Sequence, residues 1–182
     1  MKVPIIFITG HPQKAEQLSW HLEYPVTHQS LDLPEIQSLD PVEVVTHKTK
    51  AAYKKIKRPV LVEDISVRFT AMGKLPGTLI KWFLHELGDE GLCRLLDGYN
   101  SRKAIVEPFF AFYDGKEVKI FTASIEGEIA KAPRGENGFG LDSIFIPKGY
   151  VKTWGEMTKE ELVPVQVCRI AIKKLQKFLL TL

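Results

Sequence analysis

The chain has 182 residues, 45% hydrophobic and 26% charged, with a formal net charge of +3. That length suits one domain, or one domain with two lobes, able to bury a core without metal or disulfide staples, and the ordinary balance of residue types excludes long disorder and low complexity. The lysines are spread along the chain rather than massed, so a nucleic-acid partner is not expected. The longest apolar runs, such as Ile5 to Ile8 and Phe109 to Phe112, fall well short of the roughly 20 residues a membrane span needs, so no membrane partner is expected either. Cys93 and Cys168 lack CxxC spacing and sit among leucine or valine, which reads as buried thiols in a reducing, cytoplasmic compartment.

From the N-terminus, Val3 to Ile8 is a continuous β-favouring run that stops at Thr9-Gly10-His11-Pro12, and an amphipathic stretch from Gln13 to Leu22 predicts a helix. A helix that begins after such a strand aims free backbone N–H groups at whatever lies above the turn, for which phosphate is a natural occupant; an ordinary strand-to-helix connection is the commoner use of the same pattern. Leu31-Asp32-Leu33-Pro34-Glu35 alternates and ends on proline, predicting a short strand that runs into a loop at Glu35. Val42 to Lys57 has helical spacing, with Val45, Ala52 and Ile56 towards one face and Lys48, Lys54 and Lys55 outside it. Pro59 to Val62 predicts a buried strand that delivers Glu63 and Asp64 at its C-terminal end, where open α/β sheets commonly bind ligands. Taken alone, the two acids fit a helix cap or a surface turn as well.

Gly73 to Gly77 is a turn-rich loop, and Thr78 can cap a helix through Ile80, Phe83 and Leu87 to Gly88, with Lys81 in its first turn. Gly91 to Leu96 predicts a further short helix. Ala104 to Tyr113 and Val118 to Ile125 predict strands joined at the hairpin signal Asp114-Gly115, with Gly127 to Ile129 continuing the second. Pro133 to Gly140 is a glycine-dense loop feeding a short strand at Ile144 to Ile146. Thr158 begins a last helix, broken at Pro164 and resumed from Val165 to Leu180, whose stripe Ile172, Leu175 and Leu179 faces the core. There is no internal repeat and no linker.

A strand-turn-helix cradle, several lysines, and the separated acids Glu35 and Asp64 are the parts that magnesium-assisted attack on a phosphoanhydride requires. Spacing alone does not establish that chemistry. The motifs do more. Phe7-Ile8-Thr9-Gly10 with Lys14, Leu31 to Glu35, Val60 to Asp64, Leu75-Pro76-Gly77 with Ile80 to Leu84, and Pro133-Arg134-Gly135 with Gly138-Phe139-Gly140, Asp142 and Ile144-Phe145 occur in that order, followed by Thr153 and Glu156-Met157. In these the sequence resembles the inosine triphosphate pyrophosphatase, or Ham1-like, family over nearly the whole chain.

The resemblance implies an α/β fold, a mixed twisted sheet flanked by helices in two lobes with a central cleft, forming one inosine triphosphatase-like domain over residues 1–182. It implies a homodimer that hydrolyses a nucleoside triphosphate to monophosphate and pyrophosphate with Mg2+. Carried over residue by residue, Thr9 and Lys14 hold phosphate, Glu35 holds the metal, and Asp64 binds metal or activates water. Lys48 and Lys81 contact the triphosphate, Phe139 stacks on the base, and Asp142 helps to position it.

The departures from the family are concentrated. His11 stands where the family has asparagine, Ile65 where it has threonine or serine, and Leu141 where it has tryptophan or tyrosine. A family lysine is replaced by Leu162, and Gln166-Val167-Cys168 occupies the place of a Ser-His-Arg triplet that reads the purine 6-oxo group, with Arg169 one place late. An apolar side chain cannot donate to that oxygen. Triphosphate cleavage with altered base preference is the reading these residues favour. A non-catalytic nucleotide-binding or interaction protein on the same scaffold is the alternative.

Overall fold

The structure is a computed structural model in which residues 4–10, 12–22 and 24–181 are described. The expected strand start at Val3 and the turn residue His11 lie outside them. The described strands form a mixed sheet of order β2-β1-β3-β5-β7-β8, with β4 on β3 and β6 on β5. The chain divides into two compact units, one made of residues 1–64, 108–123 and 168–182, the other of 65–107 and 124–167.

In the first unit, β1 (Ile5–Ile8) lies parallel to both β2 (Val26–Gln29) and β3 (Val60–Phe69). Its four residues are all buried, as expected for a parallel strand covered on both faces. Alternation then sorts the side chains. Ile5, Phe7 and Leu61 pack with Leu18 and Leu22 at α1 (Pro12–His21) and with Ala171, Ile172, Leu175 and Leu179 of α5 (Val167–Leu179). Ile6, Ile8, Val60 and Val62 pack instead with Val45 and Ala52 of α2 (Pro41–Ile56). Helix α2 begins one residue before the predicted Val42, with the Asp40 carboxylate accepting the Val42 amide at 2.9 Å and Pro41 in the first turn.

Two expectations for this unit are corrected. Leu31 to Glu35 is irregular rather than a strand: Pro34 has no amide to offer a ladder, and the Asp32 carbonyl accepts from Lys55 Nζ at 2.5 Å. The strand that pairs with β1 lies earlier, at β2. Glu63 and Asp64 do not end β3, which continues to Phe69; they sit where its parallel pairing with β1 stops, at Ile8 opposite Val62.

In the second unit, the end of β3 pairs antiparallel with β4 (Pro76–Gly77) after a 3-10 turn at Thr70–Met72. Helix α3 (Ile80–Arg94) is broken at Gly88, the break the sequence expects between two helices. Its cap is Leu79, with no side-chain capping bond, rather than the expected Thr78. Strand β5 (Lys103–Tyr113) pairs antiparallel with β7 (Ile125–Ile129), and β7 with β8 (Phe145–Pro147). The far half of β5 belongs to the first unit and pairs with β6 (Val118–Thr122). The single strand expected from Val118 onward is thus two strands in one register, interrupted at Ala123 and Ser124 opposite Pro108, which has no amide to donate. A 3-10 turn at Trp154–Glu156 leads to α4 (Lys159–Leu162), where Thr158 forms the N-cap and exchanges bonds with Glu161. Pro164 separates α4 from α5 as predicted, and Leu175 and Leu179 are buried.

Candidate functional site

Three elements of the first unit meet at one lysine. Glu35 comes from the loop after β2, Lys48 from the middle of α2, and Asp64 from β3. Lys48 Nζ lies 3.0 Å from Glu35 Oε1 and 3.1 Å from Asp64 Oδ2. The Lys48 and Asp64 side chains are 18% and 24% exposed, so solvent screens their contact only in part, whereas Glu35 at 37% is open to water. Burial by itself would depress the Lys48 pKa, but the charges and hydrogen bonds of Asp64 and Glu35 outweigh it and hold the pKa above the ordinary lysine value.

Lys14 is not part of that cluster. It projects from α1 and pairs with Glu63 Oε2 at 3.1 Å, where the Glu63 side chain is 7% exposed. Glu63 and Asp64 are neighbours in a strand, so they point to opposite faces of the sheet: Glu63 follows Leu61 towards α1, and Asp64 follows Val62 towards α2. Spacing along the chain assigns Glu63 no partner; the period-2 alternation beside a helix carrying Lys14 is the signal for one. Thr9 follows β1, donating its amide to the Gln29 carbonyl at 3.2 Å and accepting from His28 Nε2 at 3.0 Å in the tautomer protonated there.

The second unit holds the remaining expected residues. Lys81 is in the first turn of α3, its Nζ 5.4 Å from the centre of the Trp82 ring. Phe139 is exposed, and its amide donates to Asp142 Oδ2 at 2.9 Å. Gly138 has φ +82°, and a Cβ there would collide with Asp142 Oδ2, so this turn closes only around glycine. Burial pushes the Asp142 pKa up to about 6 against the opposing pull of the Phe139 amide, and the nearby Asp89 carboxylate adds to the rise. Asp89, beyond the α3 break, also accepts the hydroxyl of Ser143, a link the sequence did not announce.

Three of the replaced positions carry aliphatic side chains that the structure places. Leu141 and Val167 are buried, and Leu162 ends α4. Arg169 lies in α5 of the first unit; burial, and then the positive charge of Arg169, lower the pKa of His21 at the end of α1.

Among the described residues no three His, Cys, Asp or Glu side chains gather as a metal group. Two carboxylates drawn to one cation are hard oxygen donors, the chemistry that suits a divalent ion preferring oxygen ligands. None of the described helices is long and apolar enough to cross a membrane.

Comparison with known proteins shows what the chain as a whole resembles. The chain is 40% identical over 181 residues to an inosine triphosphate pyrophosphatase of Yarrowia lipolytica, covering 96% of this chain and 95% of that one. It is 38% identical over 179 residues to an inosine triphosphate pyrophosphatase of Schizosaccharomyces pombe, covering 96% and 94%. The Ham1 protein of Staphylococcus aureus superposes with a TM-score of 0.83 at 26% identity, covering 97% of this chain and 98% of that one. Residues 5–178 match the sequence pattern of the Ham1 family, and with relatives this similar over this much of its length the chain belongs to that family.

Proposed function

We propose that this chain is a nucleoside-triphosphate pyrophosphatase that hydrolyses non-canonical purine ribo- or deoxyribonucleoside triphosphates to monophosphate and pyrophosphate. The observation that carries the reading is the convergence of Glu35, Lys48 and Asp64 in a chain 40% identical to an inosine triphosphate pyrophosphatase. Glu35 and Asp64 hold Mg2+, which when bound supplies charge neutralisation at the phosphate oxygens. Asp64 also orients the attacking water and accepts its proton as the new bond to the α-phosphorus forms. The bridging oxygen between the α- and β-phosphates leaves with pyrophosphate. Thr9 and Lys14 bind phosphate, Lys48 and Lys81 offset charge on the triphosphate, Phe139 stacks on the base, and Asp142 positions it. Residues 1–182 act as one domain, in a cytoplasmic homodimer without a nucleic-acid partner.

A non-catalytic nucleotide binder is not favoured, because relatives about 40% identical over nearly the whole chain are inosine triphosphate pyrophosphatases. The test is a panel of nucleoside triphosphates assayed with and without Mg2+, separating pyrophosphate from orthophosphate release. Pyrophosphate release that requires Mg2+ is expected, with loss of activity in Glu35→Gln and an unchanged melting curve. Full activity of Glu35→Gln would remove this carboxylate from the mechanism, and no pyrophosphate from any triphosphate would leave the non-catalytic reading standing.

A further inference from the structure

We propose that Lys48 is the internal counter-cation of the metal site: its ammonium competes with a divalent cation for Glu35 and Asp64, and releases them when a triphosphate becomes its partner. Metal and triphosphate then bind with a positive coupling that this lysine carries. This rests on reading Glu35 and Asp64 as the metal carboxylates.

The geometry is specific to Lys48. One ammonium bridges two carboxylates from separate elements at 3.0 and 3.1 Å, whereas Lys14 pairs with Glu63 on the opposite face of the sheet. A metal ion reaching the same two carboxylates meets a like charge a few ångströms away, in surroundings where solvent screens repulsion only in part. The ammonium sits on a flexible four-carbon stem, so it can turn to phosphate oxygens without moving α2. A triphosphate supplies that new partner, and metal and triphosphate each strengthen the other's binding by the same factor.

The experiment measures Mn2+ binding to the full chain from the electron paramagnetic resonance signal of free Mn2+, with and without the non-hydrolysable α,β-methylene analogue of inosine triphosphate. In the parent, Mn2+ is expected to bind weakly alone and more tightly with the analogue. In Lys48→Gln, binding without nucleotide is expected to tighten roughly tenfold, as removal of one nearby like charge implies, and the gain from the analogue to shrink. Lys48→Arg, which keeps the cation, should stay near the parent. Equal or weaker Mn2+ binding in Lys48→Gln than in the parent overturns the proposal. So does equal binding in the parent with and without the analogue, an outcome that needs no variant to fold. Mn2+ binding untouched by Glu35→Gln would sink the metal assignment itself, and this inference with it; binding lost in Glu35→Gln but unchanged in Lys48→Gln would sink this inference alone.

Discussion

At Asp142 two effects oppose each other. The carboxylate accepts the Phe139 amide, which favours its charged form, while burial and then Asp89 disfavour it, and the pKa is pushed up to about 6. Folded protein therefore keeps a proton that the unfolded chain gives up nearer the ordinary value of 3.8. Between those two values the native state binds more protons, so this carboxyl makes folding less favourable as pH rises through the window, the reverse of a salt-bridged carboxylate. Asp142→Asn is expected to flatten that part of the stability curve, measured as the denaturant midpoint across the same window. A parent-like slope in the variant would place the titration elsewhere. The sequence picked out Asp142, but its burial and its bond to Phe139 arise only when the Gly138 turn closes. Glu63 and Asp64 make a similar point: adjacent letters in the sequence, they serve different lysines because a strand turns alternate residues to opposite faces.

Elements with regular periodicity were legible from sequence, and those settled by distant partners were not. Helices α2 and α5 and strands β1 and β5 lie close to their predicted places. The Leu31 to Glu35 segment alternates like a strand, yet Lys55 on α2 takes the Asp32 carbonyl and β2 takes the pairing place beside β1. The break between β6 and β7 is set by Pro108 on the strand opposite, some fifteen residues back, so local sequence could not announce it. The break in α3 was visible as Gly88, and its conformation explains the residue: φ 63° with ψ −179° is a region essentially reserved for glycine. A Cβ at Gly88 would meet nothing within 4 Å, so Gly88→Ala isolates backbone strain from packing. It is expected to cost about 1–3 kcal/mol in chemical denaturation. A cost within experimental error would mean that the break relaxes to another conformation.

For the molecule as a whole, base selection is where family membership and this chain's own residues diverge. Leu141 and Val167 are buried apolar groups where the motif resemblance implies aromatic or polar ones, while the exposed Phe139 offers a stacking face. Stacking contributes roughly 1–3 kcal/mol to any base, whereas a site that hydrogen-bonds a polar group can reject its analogue by about four to five orders of magnitude. The ratio of kcat/KM for inosine over adenosine triphosphate is therefore expected to be small, and unchanged in Arg169→Ala, because Arg169 lies on α5 with its charge felt by His21 on α1. A large inosine preference that collapses in Arg169→Ala would show that this arginine has taken over the missing role. By itself the sequence determined the α/β class, most helices and strands, the order of the family motifs and the concentration of departures near the base-reading positions, because all of these are written in local periodicity and contiguous motifs. Only the tertiary structure decided that Lys48 bridges Glu35 and Asp64 while Lys14 answers Glu63 on the other face. Pairing among charges is chosen by which elements pack together and which way each strand residue points, and neither is recorded in the spacing along the chain.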